Sequence, residues 1–353
     1  MREIIKKIIK GTYSKIMKFR LWYRLVIKEH RNYKLSFYHK FRAIKYGFSS
    51  DFYHMYHLEK NNPKDYISEY KRVLSRNINE QYKIVFDNKL IFEKIFKNYL
   101  NTPKNIITVL DKLYDENGNV ITSERLNEVL SDNKYIFKPA AGSGGGIGVG
   151  LIKKVDENYL FNNKTYSFSK LYNELLKYRG FVINEYICQH DYSSKINPNS
   201  VNTIRIITIR DVSTDEVIIP CAVHRFGSKK SGIVDNVSSG GYVTEINIEK
   251  GILGRTAYGI DVKFTDFHPD TKVKINGTKI PHWKDITSCI LKVSKKFPYI
   301  PFIAWDVVVT ENGFSVIEIN ASSSLELFQV FGSIKETKLG KFYKYYGYMK
   351  DKN

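Results

Sequence analysis

The sequence reads as an α+β protein preceded by a basic, helical N-terminal region. Three observations predict this. Apolar residues recur at helical spacing up to about Leu130, the period then shortens into brief β-rich runs, and Asn312-Gly313 lies between two of those runs as a hairpin signal. A chain of 353 residues has room for about two domains. Its 42% apolar and 26% charged residues exclude a wholly disordered, collagen-like or disulfide-stapled protein. Three scattered cysteines, Cys188, Cys221 and Cys289, are too few for a disulfide framework or a zinc cluster, and they point to a reducing, cytoplasmic setting. No run approaches the roughly 18 consecutive apolar residues of a membrane span, and the basic start lacks the apolar stretch of a signal peptide, so export by that route is not expected.

The net charge of +20 calls for a polyanionic partner such as nucleotide phosphates or an anionic lipid face. Residues 1–50 hold fourteen Lys or Arg against Glu3 and Glu29, a local excess of +12. Ile4, Ile5, Ile8, Ile9, Ile16, Phe19 and Tyr23 fall near helical spacing between these cations, the pattern of a basic amphipathic helix. Residues 1–45 could therefore lie on an anionic membrane at the inner face of the cell, or pack one face on the body of the protein; the pattern serves both. Charge alone is the weakest part of a nucleic-acid footprint, and no nucleic-acid partner is expected.

From Asp51 to Leu130 the pattern predicts a helical lead-in broken at Asn62-Pro63 and Asn101-Thr102-Pro103. Tyr135 to Phe137 then enters a glycine-dense loop and Val149 to Ile152 leaves it. A helix is expected over 167–178, followed by the apolar run Phe181-Val182-Ile183. Further strands are expected at 203–209, 216–223, 242–248, 303–309 and 314–319, with a helix at 283–296. The α+β domain thus covers about the last two-thirds of the chain.

Six of the nine residues from Gly142 to Gly150 are glycine. Such a run is costly to order, but it lets backbone N–H groups approach a ligand closely, as a phosphate cradle requires. Neither GxxxxGK[ST] nor GxGxxG is satisfied. The remaining layout is a strand ending in Phe137-Lys138-Pro139, a flexible glycine loop and a second antiparallel strand, with Lys138 directed at a phosphate. An ordinary mobile glycine hairpin is the alternative.

The segment Ala304 to Asn320 supplies the second half of a site. A two-residue loop at Asn312-Gly313 would set Val307 opposite Glu318. A three-residue loop, Glu311 to Gly313 with the glycine in the left-handed position, would set Asp306 opposite Glu318. Only the second brings both acids to one face, where strand alternation also puts Asn320. Two carboxylates and an amide oxygen in a Val/Ile-rich hairpin suit a hard cation such as Mg²⁺; a solvated polar face is the alternative.

A strand lysine, a glycine loop and a distal Asp…Glu-x-Asn hairpin resemble the ATP-grasp superfamily. Asn202-Thr203-Ile204-Arg205, Gly240-Gly241, His268-Pro269, Ile280 to Trp283, Trp305-Asp306 and Ile317 to Asn320 resemble its sugar-transfer-associated branch. The likeness spans roughly 86–331. It implies an ATP-grasp fold, two α+β lobes gripping ATP. It further implies that Lys89 and Lys138 hold phosphates and that Gly142, Ser143, Gly144, Gly145 and Gly146 cover them. Asn184 to Ile187 would form the hinge, with Glu185, Tyr186, Ile187 and Asp191 as nucleotide contacts. Asp306, Glu318 and Asn320 would be the Mg²⁺ ligands, for two ions, with Mn²⁺ an alternative. One departure stands out. D-alanine–D-alanine ligases carry an arginine two residues before the metal aspartate, and here that residue is Ala304, so Arg205 and Arg225, with Asn202, are the candidates for catalytic work.

The implied reaction is phosphorylation of a carboxylate by ATP, with release of ADP, and attack of an amine on the acyl phosphate. The substrates would be a small-molecule carboxylate and an amine, one of them on a sugar or nucleotide sugar of cell-surface polysaccharide or capsule assembly. A phosphotransferase acting on a non-carboxylate and a basic membrane scaffold are the alternatives. The chain would divide into a basic helical region (1–85), an ATP-grasp domain (86–335, its lobes 86–185 and 186–335) and a C-terminal tail (336–353). His224 is expected to be structural, with a substrate contact as the alternative, and Cys188 to be a small packing residue rather than a nucleophile; His268 is left without a role.

Overall fold

The computed structural model describes residues 14–28, 33–131, 134–142 and 146–349. Two antiparallel sheets dominate it. The first has eight strands: β1 (Asn105–Val109), β2 (Leu113–Tyr114), β3 (Val120–Ile121), β4 (Lys134–Pro139), β5 (Gly150–Val155), β6 (Asn158–Phe161), β7 (Lys164–Tyr166) and β8 (Phe181–Glu185). Their order across the sheet is β3-β2-β1-β8-β4-β5-β6-β7. The second has seven: β9 (Ile204–Arg210), β10 (Val217–Phe226), β11 (Tyr242–Asn247), β12 (Ile252–Tyr258), β13 (Lys263–Thr265), β14 (Phe302–Thr310) and β15 (Gly313–Asn320). They run in the order β13-β12-β11-β10-β9-β14-β15.

Three of the first sheet's strands occupy the stretch expected to be helical. In β1 burial alternates along Asn-Ile-Ile-Thr-Val, but β2 and β3 are two residues each, too short to carry a period. A core of Ile107, Val109, Tyr135, Phe137, Ile152, Phe161, Leu171 and Ile183, among others, closes this lobe beneath the helix Phe168–Leu175.

The second sheet is covered on both faces, and its central strands are accordingly Val/Ile-rich without polar alternation. On one face Ile204, Ile206, Ile303, Trp305 and Val307 pack against the helices Lys89–Phe96 and Trp283–Lys295. On the other, Ile207, Ile209, Phe302 and Ala304 meet Leu339, Phe342 and Tyr343 of the helix Lys338–Tyr345. The segment expected as a C-terminal tail therefore includes a helix that completes the core. Burying one such large side chain is worth about 1.5–3 kcal/mol, so removal of this helix would uncover a face of the sheet.

The N-terminal region is helical over 14–28, ending in a π-helical turn at Tyr23–Lys28, and again over Phe37–Tyr46 and Ser50–Met55. Ser36 caps the second of these helices, and Gly47, at φ 80°, ends it in the left-handed conformation that glycine adopts without strain. Ala43, Phe48, Tyr53, Tyr56, Leu58 and Tyr66 form a small core of their own. Phe19 remains 62% exposed, Phe37 90% and Phe41 64%, so this region keeps apolar side chains in solvent. The isoleucines at 4, 5, 8 and 9 lie outside the described residues. Among the described residues no helix is long and apolar enough to cross a membrane.

Candidate functional site

The hairpin is built differently from either sequence expectation. Thr310 pairs with Gly313, so the loop is two residues, Glu311-Asn312, and the pairing runs regularly to Val307 opposite Val316. The register then slips by one at Ile317, and beyond this bulge Asp306 faces Glu318 and Ala304 faces Asn320. The expected three-residue loop is absent, yet both acids and Asn320 share a face. An extra residue in one strand has the same effect on register as an extra residue in the loop.

On its other side β14 pairs with β9 so that Asp306 also faces Arg205. Glu318, Asp306 and Arg205 thus form a row across three adjacent strands. Arg205 Nε and Nη2 donate to the two Asp306 oxygens at 2.5 and 2.9 Å, and its Nη1 donates to Ser323 Oγ at 3.1 Å. Arg225 Nη2 lies 3.3 Å from Asp306 Oδ2. All three charged groups are buried. Burial works to raise the Asp306 pKa, but Arg205 and Arg225 override it and hold the carboxyl below its ordinary value.

Arg225 has a second acidic partner that the sequence did not reveal. Asp235 Oδ2 lies 3.5 Å from Arg225 Nε and accepts from the Thr203 amide (2.8 Å) and hydroxyl (2.5 Å), while Arg225 Nε donates to Thr203 Oγ1 at 3.0 Å. Burial pushes the Asp235 pKa up against the pull of Arg225.

The opposite wall comes from the first sheet. Lys138 stands next to the end of β4. The Asn88–Ala141 bridge and the Lys89 amide's bond to the Ala140 carbonyl (2.8 Å) bring Lys89 alongside, at the start of its helix. Lys89 Nζ reaches Glu318 Oε1 at 3.5 Å, which ties the two walls together. Burial, then Lys89, lowers the Lys138 pKa to about 8, with Glu318 acting against them. Between the walls lie two adjoining cavities of about 680 and 190 Å³ that share Lys89, Arg205, Arg225, Asn236, Glu318 and Asn320.

Of the remaining candidates, Gly142 lines the larger cavity, and Gly146, Glu185 and Ile187 line the smaller. Ser143, Gly144 and Gly145 lie outside the described residues. Tyr186 is not part of this lining: it falls between two residues that are, and its ring instead meets Lys134 Nζ at 5.3 Å. Asp191 stands apart too, exposed and paired with Lys195 at 2.5 Å.

Asn202 does not line the cavities either. Its Nδ2 donates to Gln189 Oε1 and the Asn197 carbonyl, and its Oδ1 accepts from Ser200 Oγ and the Gly227 amide. With both ends engaged, Asn202 pins the loop that leads into β9. His224 is structural, between Tyr192 Oη (2.8 Å) and the Arg225 carbonyl, with its pKa lowered by burial to about 3. His268 is buried and bonded to the Gly227 carbonyl. Cys188 is exposed rather than packed.

Sequence reasoning also missed Arg72, Arg76 and Glu326, which line the larger cavity. Arg72 and Arg76 are four apart, a spacing that places two guanidinium groups on one side of a helix and was available as a signal.

The donor chemistry fits a hard divalent cation. Asp306, Glu318 and Asn320 offer oxygen ligands on one face. Asp306 would share its oxygens between metal and guanidinium. Among the described residues no cluster of three or more His, Cys, Asp and Glu side chains forms a metal site, so the amide and substrate oxygens would complete the shell.

A family model described as sugar-transfer associated ATP-grasp matches residues 69–338. No curated protein matches the chain. Similar solved structures include D-alanine–D-alanine ligase from Bacillus anthracis, 12% identical over 74% of this chain and 62% of that one, with a TM-score of 0.36. N5-carboxyaminoimidazole synthetase from Staphylococcus aureus, complexed with ADP, is 11% identical over 69% of this chain and 48% of that one, with a TM-score of 0.40. A biotin carboxylase–ATP complex from Campylobacter jejuni is 14% identical over 69% and 42%, also with a TM-score of 0.40. The chain spans between 42% and 62% of the length of these three proteins.

Proposed function

Because the chain belongs to the sugar-transfer associated ATP-grasp family, we propose that it is an ADP-forming ligase that activates a carboxylate as an acyl phosphate and joins it to an amine. One substrate would be a sugar or nucleotide sugar of cell-surface polysaccharide assembly, a reading supported by the family's description. The observation that carries the proposal is the facing of Lys89 and Lys138 on one wall by Asp306, Glu318 and Asn320 on the other.

In this reading ATP lies between the sheets. Lys138 and Lys89 hold its phosphates, beside Gly142 and Gly146 on the cavity lining. Asp306, Glu318 and Asn320 would hold Mg²⁺, whose charge would offset that of the phosphates. Arg205 and Arg225 replace the arginine that Ala304 lacks, and their fixed partners keep both guanidinium groups oriented before substrate arrives. Positioning and charge stabilisation suffice for phosphoryl transfer, so no nucleophilic side chain is required.

The N-terminal helices supply a place for this chemistry. Phe19, Phe37 and Phe41 are exposed among Lys15, Lys18, Lys34, Lys40 and Lys45, which supports docking of this region on an anionic membrane.

The test is a mass-spectrometric screen of amino acids against uronic-acid nucleotide sugars in the presence of MgATP, scored for loss of water. Hydroxylamine added to an active pair should divert the product to a hydroxamate. ATP-dependent addition of phosphate without such diversion would support the phosphotransferase instead.

A further inference from the structure

A further cavity, larger than the two between the sheets, lies outside the nucleotide cleft. It measures about 960 Å³ and is bounded by the N-terminal helices on one side and the turns around Ser228 to Tyr242 and Tyr258 to Ile260 on the other. Arg24, Lys229 and Lys230 supply positive charge on its lining, and Tyr242 and Tyr258 meet edge to face at 6.1 Å along one wall. Tyr242 Oη and the Lys229 amide both donate to Asp270 Oδ2, which fixes that wall.

This cavity and the 680 Å³ part of the cleft share three lining residues, Val237, Ser238 and Glu326. Glu326 opens the short helix Glu326–Gln329, and its Oε2 is buried without a hydrogen-bond partner. We propose that the 960 Å³ cavity is the acceptor site, that it takes a phosphorylated amino sugar, and that Glu326 receives the acceptor's amine where the cavity meets the nucleotide cleft. The proposal rests on the ligase reading for its chemistry but not for its binding.

The residue types match such a ligand. Lys229 and Lys230 suit a phosphate, the tyrosine wall suits the apolar face of a sugar ring, and the carboxylate suits an ammonium group. Glu69 and Arg72 of the helix Glu69–Ser75 face Glu326, as do Tyr56 and Ser324. Arg72 is already bonded to Glu69. Burial and then Glu69 raise the Glu326 pKa to about 7, which suits a group that both holds an ammonium and takes a proton from it. In the ligation step Glu326 would accept one proton from the ammonium, freeing the nitrogen lone pair. The C–N bond then forms at the acyl carbon, the C–O bond to phosphate breaks, and the second nitrogen proton leaves with the phosphate.

Calorimetric titration of the full chain saturated with MgADP tests the site without turnover. The probes are glucosamine 1-phosphate and glucose 1-phosphate. Glucosamine 1-phosphate is expected to bind one per chain, at least tenfold tighter than glucose 1-phosphate. Glu326→Gln should erase that difference, and Lys229→Ala with Lys230→Ala should weaken both sugars at least tenfold. ADP affinity unchanged in the lysine variants, whose residues line only the outer cavity, and a far-UV circular dichroism spectrum unchanged in Glu326→Gln report that the fold is intact. Absence of glucosamine 1-phosphate binding, equal binding of the two sugars to the wild type, or binding indifferent to the lysine changes would each overturn the proposal. Failure of the ligase reading would show instead as binding without turnover in the substrate screen.

Discussion

Arg205 grips Asp306 through both carboxylate oxygens from the strand directly beside it, at 2.5 and 2.9 Å, with both side chains buried. Since Glu318 flanks Asp306 on the other side, one carboxylate is shared between a fixed guanidinium and the face where a metal would sit. The arginine therefore does two things: it keeps Asp306 ionised in a dry setting, and it fixes the direction in which the remaining lone pairs point.

Removing that arginine should destabilise the fold. Arg205→Met leaves Asp306 buried with Arg225 alone, and an undercompensated buried carboxylate costs about 3–5 kcal/mol. The pH dependence fixes the cause. In the wild type the folded-state pKa of Asp306 is depressed, so its contribution is present above the ordinary carboxylate range and is lost as pH falls through the lower folded value. In the variant, burial raises that pKa, so the penalty is largest at neutral pH and shrinks on acidification. Urea unfolding at pH 7 and pH 4.5 would show this; a penalty that grows toward low pH would rule it out.

Lys138 should register nucleotide through its proton. Its pKa of about 8 leaves it charged below that pH and progressively neutral above it. A phosphate placed beside it favours the charged form, so at pH 8 binding of ATP should draw about half a proton from solvent and at pH 6 almost none. Calorimetry in buffers of different ionisation enthalpy measures the uptake directly. Lys138→Ala should abolish it and cost on the order of 1.5–3 kcal/mol of ATP affinity. Unchanged affinity would remove this lysine from the site.

What the sequence made legible follows from distance along the chain. Lys138 and the glycines are contiguous, and Asp306, Glu318 and Asn320 lie in one hairpin, so local rules reach them. Even there the loop was misassigned, because a bulge at Ile317 carries no residue signal of its own. Asp235 meets Arg225 across nine residues of intervening loop and strand end, and Glu326 meets Arg72 across most of the chain; only the packed fold brings these together. Asn202 shows the converse. Named with Arg205 and Arg225 as a candidate for catalytic work, it instead has both ends of its amide engaged by internal hydrogen bonds. Residue type at a promising position does not say which way a side chain's bonds are already spent.

The N-terminal helices should respond to lipid composition. With Phe37 at 90% and Phe41 at 64% exposure, changing both to serine removes surface-facing rings without opening the small core beneath Ala43. The full chain should float with vesicles rich in anionic lipid, release as salt shortens the screening length to a few ångströms, and bind less after Phe37→Ser and Phe41→Ser. Flotation unaffected by salt and by both substitutions would leave the helices with a packing role only.

Glu318 gives the strictest test, because it links register, metal and product. The Ile317 bulge sets Glu318 opposite Asp306, and Lys89 lies 3.5 Å from it, so the carboxylate stands where metal, phosphate and lysine would meet. Glu318→Gln keeps the shape and removes one negative charge. Glu318 is part-exposed, so the fold should lose no more than about 1 kcal/mol, the worth of a partly solvated ion pair. Turnover should fall far more, by about 100-fold or greater, with a higher Mg²⁺ concentration needed for half-maximal rate, because a charged metal ligand acts on the developing phosphate charge and not on folding. If the proposed acyl-phosphate route holds, the γ-phosphoryl group transfers, and ADP and phosphate should be released in step with product. AMP and pyrophosphate would mean adenylation of the carboxylate instead. A Glu318→Gln enzyme of normal rate and unaltered Mg²⁺ dependence would place the metal elsewhere and leave the glutamate as the partner of Lys89 alone.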